Sequence, residues 1–168
     1  MYFIFYAIFG WFYEVFLEVV VYGWGFSNRG VLFGPFLPVY GIGALTFVFA
    51  FYKLIKGKDL KVKLLMCPVI FFGCAFIATV IELATSYILE NAMGYWPWQT
   101  YLDYAINFEG RIALSPSIRF GVGGILFLYF LQPVFENICE RMNPKVFNYL
   151  FYCLLIAFTV DLVCALVI

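Results

Sequence analysis

Five long apolar segments divide this 168-residue chain, and they constrain its fold more than any other feature. They cover about residues 2–24, 38–55, 64–89, 117–135 and 146–168. A helix needs about 20 apolar residues to cross the hydrocarbon core of a bilayer. The sequence therefore predicts an all-α, polytopic transmembrane helical bundle with about five spans, in which residues 1–168 form a single transmembrane domain.

The composition favours a membrane environment. Hydrophobic residues make up 65% of the chain and charged residues only 12%, whereas about a quarter of the residues of a soluble domain are charged. A soluble fold of this size has too much surface to hide so many apolar side chains, so a lipid bilayer is the expected partner. The net charge is zero and no basic cluster is interleaved with aromatic residues, which argues against a nucleic-acid partner.

The sequence lacks motifs for metal or cofactor chemistry. It contains no histidine, its five cysteines form no Cys-x-x-Cys pair, and no Gly-x-x-x-x-Gly-Lys-Ser/Thr motif occurs. Histidine is the commonest metal ligand, and the last motif binds nucleotide phosphates. We therefore predict no bound metal and no cofactor, and we assign no catalytic residue. Whether the chain is an enzyme stays open.

Two segments interrupt the series of spans. Residues 31–37 precede the second span and contain a Gly-Pro pair, so we expect irregular or re-entrant backbone there. Residues 90–116 form the longest polar stretch and are rich in Trp, Tyr, Asn, Asp and Gly. We expect a long outer loop at the membrane interface for this stretch. We find no linker, low-complexity segment or clear internal repeat.

Lysine and arginine predict the orientation in the membrane. The links after the second and fourth spans are the most basic, and basic links usually face the cytoplasm. Their basic residues are Lys53, Lys56, Lys58, Lys61, Lys63, Arg141 and Lys145. The sequence therefore predicts a multi-pass protein of the cell (plasma) membrane, with a cytoplasmic N-terminus and an extracytoplasmic C-terminus.

Acidic residues within the apolar spans indicate where function resides. Glu14 and Glu18 are four residues apart, and Glu82, Ser86 and Glu90 continue at the same spacing, so each set lies on one face of a helix. A charge at mid-bilayer is costly, so these faces should point into the protein, towards partners or water. In the predicted orientation they lie in the outer half of the spans. For Glu18 and Glu90 alone, we expect a position in interfacial water.

Polar residues of the outer loops are the expected partners of these carboxylates. Arginine keeps its charge and binds carboxylates through two parallel hydrogen bonds. We predict an outward-facing polar site for a small polar ligand, with substrate-binding residues Glu14, Asn28, Arg29, Glu82, Ser86, Asp103, Asn107 and Arg111. The alternative is that Glu–Arg pairs are structural and tie the helices together.

The order of these residues resembles that of a known family. In sequence, the shared elements are Gly10-Trp11 with Glu14, Asn28-Arg29-Gly30 with Gly34-Pro35, Tyr40-Gly41, Glu82 and Glu90, Asp103-Tyr104, Asn107-x-x-Gly110-Arg111-Ile112, and Pro133. Over about residues 3–137 the chain resembles the bacterial membrane proteins described as "putative ABC-transporter type IV", whose function is largely undetermined. The resemblance implies a transporter permease and, if the protein is of the ABC type, a separate ATPase subunit.

Three functions are open on the sequence alone. The first is a permease-like transporter subunit for a small polar or charged solute, which would need a homodimer or a separate partner subunit because the chain is short. The second is an intramembrane enzyme acting on a lipid or lipid-linked substrate, with Glu14 or Glu82 as the base and Arg29 and Arg111 holding a phosphate or carboxylate. The third is an accessory membrane protein whose buried ion pairs are structural.

Overall fold

Five long helices dominate the structure. A computed structural model describes residues 1–167, and its long helices are α1 (Tyr2–Val21), α2 (Pro38–Ile55), α3 (Leu60–Met93), α4 (Leu114–Arg141) and α5 (Pro144–Val167). Each helix is long and apolar enough to cross a membrane. The predicted all-α transmembrane protein with five spans is therefore confirmed.

Helix ends depart from the predicted span limits by a few residues. Both α3 and α4 extend past their apolar runs into the flanking polar sequence, because backbone hydrogen bonding continues after the hydropathy falls. α3 ends where Gly94 adopts a left-handed conformation (φ 79°) and its N–H donates to the Glu90 carbonyl at 2.8 Å. Glycine adopts this conformation without the strain that a Cβ causes, so it ends helices well.

Proline marks the start of two helices. Pro38 is the first residue of α2 and Pro144 is the first residue of α5. A proline has no N–H to leave unbonded and its φ is already helical, which suits this position. Before α5, the side-chain oxygen of Asn143 also accepts the backbone N–H of Lys145 at 2.9 Å, as an N-cap residue does.

The first loop, residues 22–37, contains no helix or strand. Its second half is nevertheless packed, since Leu32, Phe36 and Leu37 are buried. The N–H of Leu37 donates to the carbonyl of Ala7 in α1 at 3.0 Å. The irregular backbone predicted for residues 31–37 is therefore present.

The second loop, residues 94–113, has short elements of its own. It holds a 3-10 turn (Gln99–Asp103) and two strands, β1 (Asn107–Phe108) and β2 (Ile112–Ala113). The strands pair antiparallel, with Asn107 opposite Ala113 and Phe108 opposite Ile112. The long loop predicted over residues 90–116 is present, with its first and last few residues taken up by α3 and α4.

Contacts divide the chain into two compact units. The first unit combines Met1–Leu45 with the chain from Asn137 onward, and the second is Thr46–Glu136. Buried Ile4, Leu32 and Phe36 form the core of the first unit, against partly buried side chains of α5 that include Phe151, Leu154 and Phe158. Buried residues of the second core are Phe47, Tyr52, Ile55, Ile70, Cys74 and Leu128. That the chain is one domain stays a prediction.

Candidate functional site

An ion pair holds the first loop to the end of α1. Glu18 lies in the π-helical last turn of α1 and is only 5% exposed. Its Oε1 lies 2.8 Å from Nη2 of Arg29 and accepts the Ser27 hydroxyl at 2.7 Å. The expectation that Glu18 lies in interfacial water is therefore wrong, because loop donors surround its carboxylate.

Arg29 has hydrogen-bonding capacity beyond its pair with Glu18. Its side chain is 31% exposed, while its Nε is buried and has no hydrogen-bond partner among the described residues. A buried donor without an acceptor costs free energy, and a guanidinium offers five N–H groups in a planar fork. Because Nε is buried, a carboxylate or phosphate oxygen of a ligand would relieve this cost only after the side chains that cover it moved aside.

Glu14 binds a tyrosine. The Tyr40 hydroxyl, from the first turn of α2, donates a hydrogen bond to Oε1 of Glu14. The approach depends on Gly10, since a Cβ at that position would overlap the Tyr40 side chain. Glu14 is half-buried, and none of the ion pairs among the described residues involves it. Sequence reasoning considered arginine partners and missed Tyr40.

Asn28 shapes the first loop. Its Nδ2 donates to the carbonyls of Leu32 at 2.9 Å and Phe33 at 3.0 Å. Its Oδ1 accepts the indole N–H of Trp11 at 2.8 Å. Asn28 therefore ties the loop both to itself and to α1, and it positions the neighbouring Arg29.

α5 contributes Asp161 to the same loop. The two carboxylate oxygens of Asp161 accept the backbone N–H groups of Phe33 and Gly34, each at 3.0 Å. Irregular backbone leaves such N–H groups without helical partners, and in a membrane each must be satisfied. Asp161 thus stabilises the irregular segment.

Arg111 anchors the second loop to α3. Its side chain is 8% exposed, and its Nη2 lies 2.5 Å from the Glu90 carboxylate and its Nε 3.3 Å from that of Glu109. Burial disfavours the charged guanidinium, but the hydrogen bond to Glu90 and its negative charge outweigh that effect and raise the pKa of Arg111. Arg111 is therefore charged at every accessible pH.

Two aromatic rings lie close to the same guanidinium. Its centre lies 4.0 Å from the ring centroid of Tyr87 and 4.2 Å from that of Trp96. Both distances are well within the range of cation–π attraction. Arg111 also donates to the Ser86 hydroxyl at 3.5 Å, so each of its three side-chain nitrogens has an acceptor.

Indole and amide groups fix the backbone around Arg111. Trp96 donates to the Gly110 carbonyl at 3.0 Å, and Trp98 donates to the Arg111 carbonyl at 2.9 Å. Asn107 accepts the Gly110 N–H at 3.0 Å and donates to the Tyr104 carbonyl at 2.8 Å. The predicted residue Asn107 therefore shapes the turn that presents Arg111.

Glu82 is the most buried carboxylate of α3. It is 7% exposed, and its Oε1 accepts the hydroxyl of Tyr101 at 2.7 Å. Ser86, one turn further on, is fully buried and donates to the Leu83 carbonyl at 2.7 Å. Tyr101 was missed by sequence reasoning, since nothing in the loop sequence distinguishes it from the tyrosines around it.

The predicted site residues fall into two groups, one in each unit. The first unit holds Glu14, Asn28 and Arg29, and the second holds the other five. Within the second group, Ser86 contacts Arg111 directly. Asp103 is exposed, and none of the hydrogen bonds and ion pairs among the described residues joins it to another predicted site residue.

A largely apolar cavity of about 340 Å³ lies beside the second loop and the start of α4. Its lining residues are Tyr104, Ala105, Ile106, Leu114, Ser115, Ile118 and Arg119. Within it, Arg119 donates to the hydroxyls of Tyr104 at 2.9 Å and Ser115 at 3.1 Å. Arg119 is not among the eight predicted site residues.

A comparison with known protein families matches residues 1–166, nearly the whole chain, to the family described as "Putative ABC-transporter type IV". No curated protein and no solved structure matches the chain.

Proposed function

Because this chain belongs to the family described as "Putative ABC-transporter type IV", we propose that it is a permease-like transporter subunit for a small polar or charged solute. Its five apolar helices make it a multi-pass membrane protein. One observation carries the proposal of a solute site: Arg29 keeps a buried Nε that has no acceptor among the described residues. The pair with Glu18 uses Nη2 and leaves this second donor without an acceptor.

Glu14 complements Arg29 in this proposal. It is a carboxylate within a membrane-spanning helix that accepts a hydroxyl and takes part in none of the described ion pairs. Ionisable groups at such positions usually mark a substrate or ion pathway. We assign Arg29 to an anionic group of the solute and Glu14 to a cationic group, with Asn28 and Tyr40 positioning them.

The second unit has a polar cluster of its own. Arg111, Ser86 and Asn107 are engaged with the second loop and α3. We propose that they keep this loop folded over the end of α3. Glu82, bound by Tyr101, and the exposed Asp103 stay predicted ligand-binding residues of this second unit.

The proposal includes a partner and an orientation. None of the described residues of α5 is buried, so much of this helix is available to lipid, a second copy of the chain or a partner subunit. If ATP drives transport, a separate ATPase has to supply the hydrolysis. We place the protein in the bacterial plasma membrane with its N-terminus in the cytoplasm, because the lysine-rich links then face inwards.

Replacing Glu14 by glutamine tests the solute site. Glutamine keeps an oxygen that accepts the Tyr40 hydroxyl but removes the charge that would attract a cationic group. For zwitterionic solutes, screened singly with glycine as the first probe, we expect binding to weaken about 10-fold, which corresponds to about 1.4 kcal/mol. Binding is measured as the rise in melting temperature of the purified protein with solute concentration, and uptake into proteoliposomes checks it.

Glu140→Gln is the matched control, because Glu140 is exposed near the end of α4. This control should bind and transport the zwitterion as the wild type does. Equal affinity for the zwitterion in the wild type and in Glu14→Gln would contradict the role assigned to Glu14.

A second candidate function is favoured by the cavity beside Arg119. Its lining combines apolar side chains with a guanidinium and two hydroxyls, which suits a lipid or lipid-linked substrate with an anionic headgroup. Native mass spectrometry of the purified protein discriminates between the candidates. A retained anionic lipid that is lost in Arg119→Gln would favour the lipid substrate over the small solute.

A further inference from the structure

Two helices of the protein carry the same glycine pattern. The segments are Gly41-Ile-Gly-Ala-Leu-Thr-Phe47 in α2 and Gly121-Val-Gly-Gly-Ile-Leu-Phe127 in α4. Each has a glycine at its first and third positions, with an aliphatic residue between them, and a phenylalanine at its seventh position. Glycine runs are common in membrane helices, so the sequence alone did not identify this as a repeat. The contacts that the glycines make decide the question.

The first glycine of each pattern packs on the same kind of partner. A Cβ added at Gly41 would lie 2.8 Å from the carbonyl oxygen of Phe3, and one added at Gly121 would lie 2.9 Å from the carbonyl oxygen of Phe71. In both cases the ring of that phenylalanine is also within 3 Å. The second glycines, Gly43 and Gly123, both have no described atom within 4 Å of an added Cβ.

The two phenylalanines hold equivalent positions relative to the acidic residues. Phe3 precedes Glu14 by eleven residues in α1, and Phe71 precedes Glu82 by eleven residues in α3. Four residues further on, Glu18 and Ser86 are both buried. The register between the glycine helix and the acidic helix is therefore the same in both pairs.

The glycine helices also share a distortion. α2 contains a π-helical turn at Val48–Tyr52 and α4 contains one at Phe127–Leu131. Each turn begins within one residue of the phenylalanine that closes the glycine pattern. π-helical turns are rare in helices, and these two stand at the same place in the glycine pattern, although the π-helical turn at the end of α1 has no counterpart in α3.

The loops between the paired helices complete the comparison. In each loop an asparagine side chain donates to nearby backbone carbonyls: Asn28 in the first loop and Asn107 in the second. An arginine follows, Arg29 or Arg111, and pairs with a carboxylate at the end of the preceding helix. An indole N–H from Trp11 or Trp96 binds each loop.

From these matches we propose that the chain contains two copies of one helix–loop–helix module, α1 to α2 and α3 to α4, with α5 outside the repeat. Each copy carries the acid–arginine element of the proposed solute site. The copies have diverged at the arginine: Arg29 retains an Nε with no acceptor among the described residues, whereas two carboxylates and two rings engage Arg111. The first copy binds the anionic group of the solute and the second is a structural anchor, an assignment that rests on the proposed function.

Glycine-to-alanine substitutions test the duplication without any solute. Gly41→Ala and Gly121→Ala place a methyl group against a backbone carbonyl that has no freedom to rotate away. We expect each to lower the melting temperature of the purified protein in detergent, by roughly 5 °C. Gly43→Ala and Gly123→Ala are the matched controls, since alanine there meets open space and favours the helix. They should melt at or slightly above the wild-type temperature.

The pattern across the four variants decides the result. A lower melting temperature for both Gly41→Ala and Gly121→Ala, with the melting temperatures of both controls unchanged, supports two equivalent modules. The duplication is overturned if only one of the first two variants has a lowered melting temperature, or if a control's melting temperature is lowered by as much.

Arginine-to-lysine substitutions test the divergence of the two copies, with glycine and inorganic phosphate as probes. Arg29→Lys should lose most of the probe-dependent rise in melting temperature. Arg111→Lys should melt lower without a probe but keep the rise that the probe causes. Equal loss of the rise in both variants would overturn the divergence. If neither probe stabilises the wild type, the proposed solute site fails, and the glycine variants still decide the duplication.

Discussion

Replacing Arg111 by lysine should lower the melting temperature of the purified protein in detergent by roughly 5–10 °C. Lysine keeps the positive charge, but it lacks the planar fork that reaches Glu90 and Glu109 at once. It also lacks the flat guanidinium whose centre lies 4.0 and 4.2 Å from the ring centroids of Tyr87 and Trp96. Because the guanidinium joins α3 to the second loop, the loop should loosen with it.

A second measurement locates this loss in the loop. The indole groups of Trp96 and Trp98 donate to the Gly110 and Arg111 carbonyls, so a loosened loop exposes them to water and shifts tryptophan emission to longer wavelength. Arg141→Lys is the matched control, because Arg141 is exposed at the end of α4. If Arg111→Lys melted and fluoresced as this control does, Arg111 would not be the anchor of the second loop.

The spans and their polar faces follow from the sequence because hydropathy and helical periodicity are local. The spacing of Glu82, Ser86 and Glu90 correctly placed them on one side of α3, and Ser86 and Glu90 both meet Arg111. Two ion pairs, Glu18–Arg29 and Glu90–Arg111, join residues that the sequence analysis named, whereas Glu109 and Glu136, the acids of the other two pairs, were not identified. What the sequence did not contain is the choice of partner, which depends on how each loop folds back.

The sequence did not predict the hydrogen-bond partners of the two carboxylates that bind tyrosine. Glu14 meets Tyr40 because Gly10 lets that side chain approach α1, and Glu82 meets Tyr101 because the 3-10 turn carries it to α3. Thirteen tyrosines occur in the chain, so residue type alone offered no way to select these two. The same limit applied to Glu18, which is buried only because Ser27 and Arg29 return to it.

The internal repeat was missed for a related reason. The two modules differ in loop length, and Ser86 stands where Glu18 stands in the first copy. Direct sequence comparison therefore breaks at the residues that carry charge. The glycine contacts keep their register because close approach of two backbones tolerates no side chain, which is a packing constraint and becomes visible only in three dimensions.

Replacing Asp161 by asparagine should destabilise the first unit by about 2 kcal/mol, since hydrogen bonds to a charged acceptor each contribute about 1.5–3 kcal/mol and this carboxylate is partly exposed. The carboxylate accepts the N–H groups of Phe33 and Gly34, whereas an asparagine amide has one oxygen and points its NH₂ group at the second N–H. Unfolding with sodium dodecyl sulfate, followed by circular dichroism, measures the cost.

The matched control for this substitution is Asp103→Asn, at an exposed aspartate of the second loop. Because the irregular backbone of residues 31–37 leaves N–H groups that no helix satisfies, Asp161→Asn should also make Arg29 more accessible to trypsin. The control should leave both the unfolding midpoint and the cleavage rate at Arg29 unchanged. If Asp161→Asn matched the control in both measurements, the first loop would keep its shape without this carboxylate, and the role of Asp161 in stabilising the irregular segment would have to be abandoned.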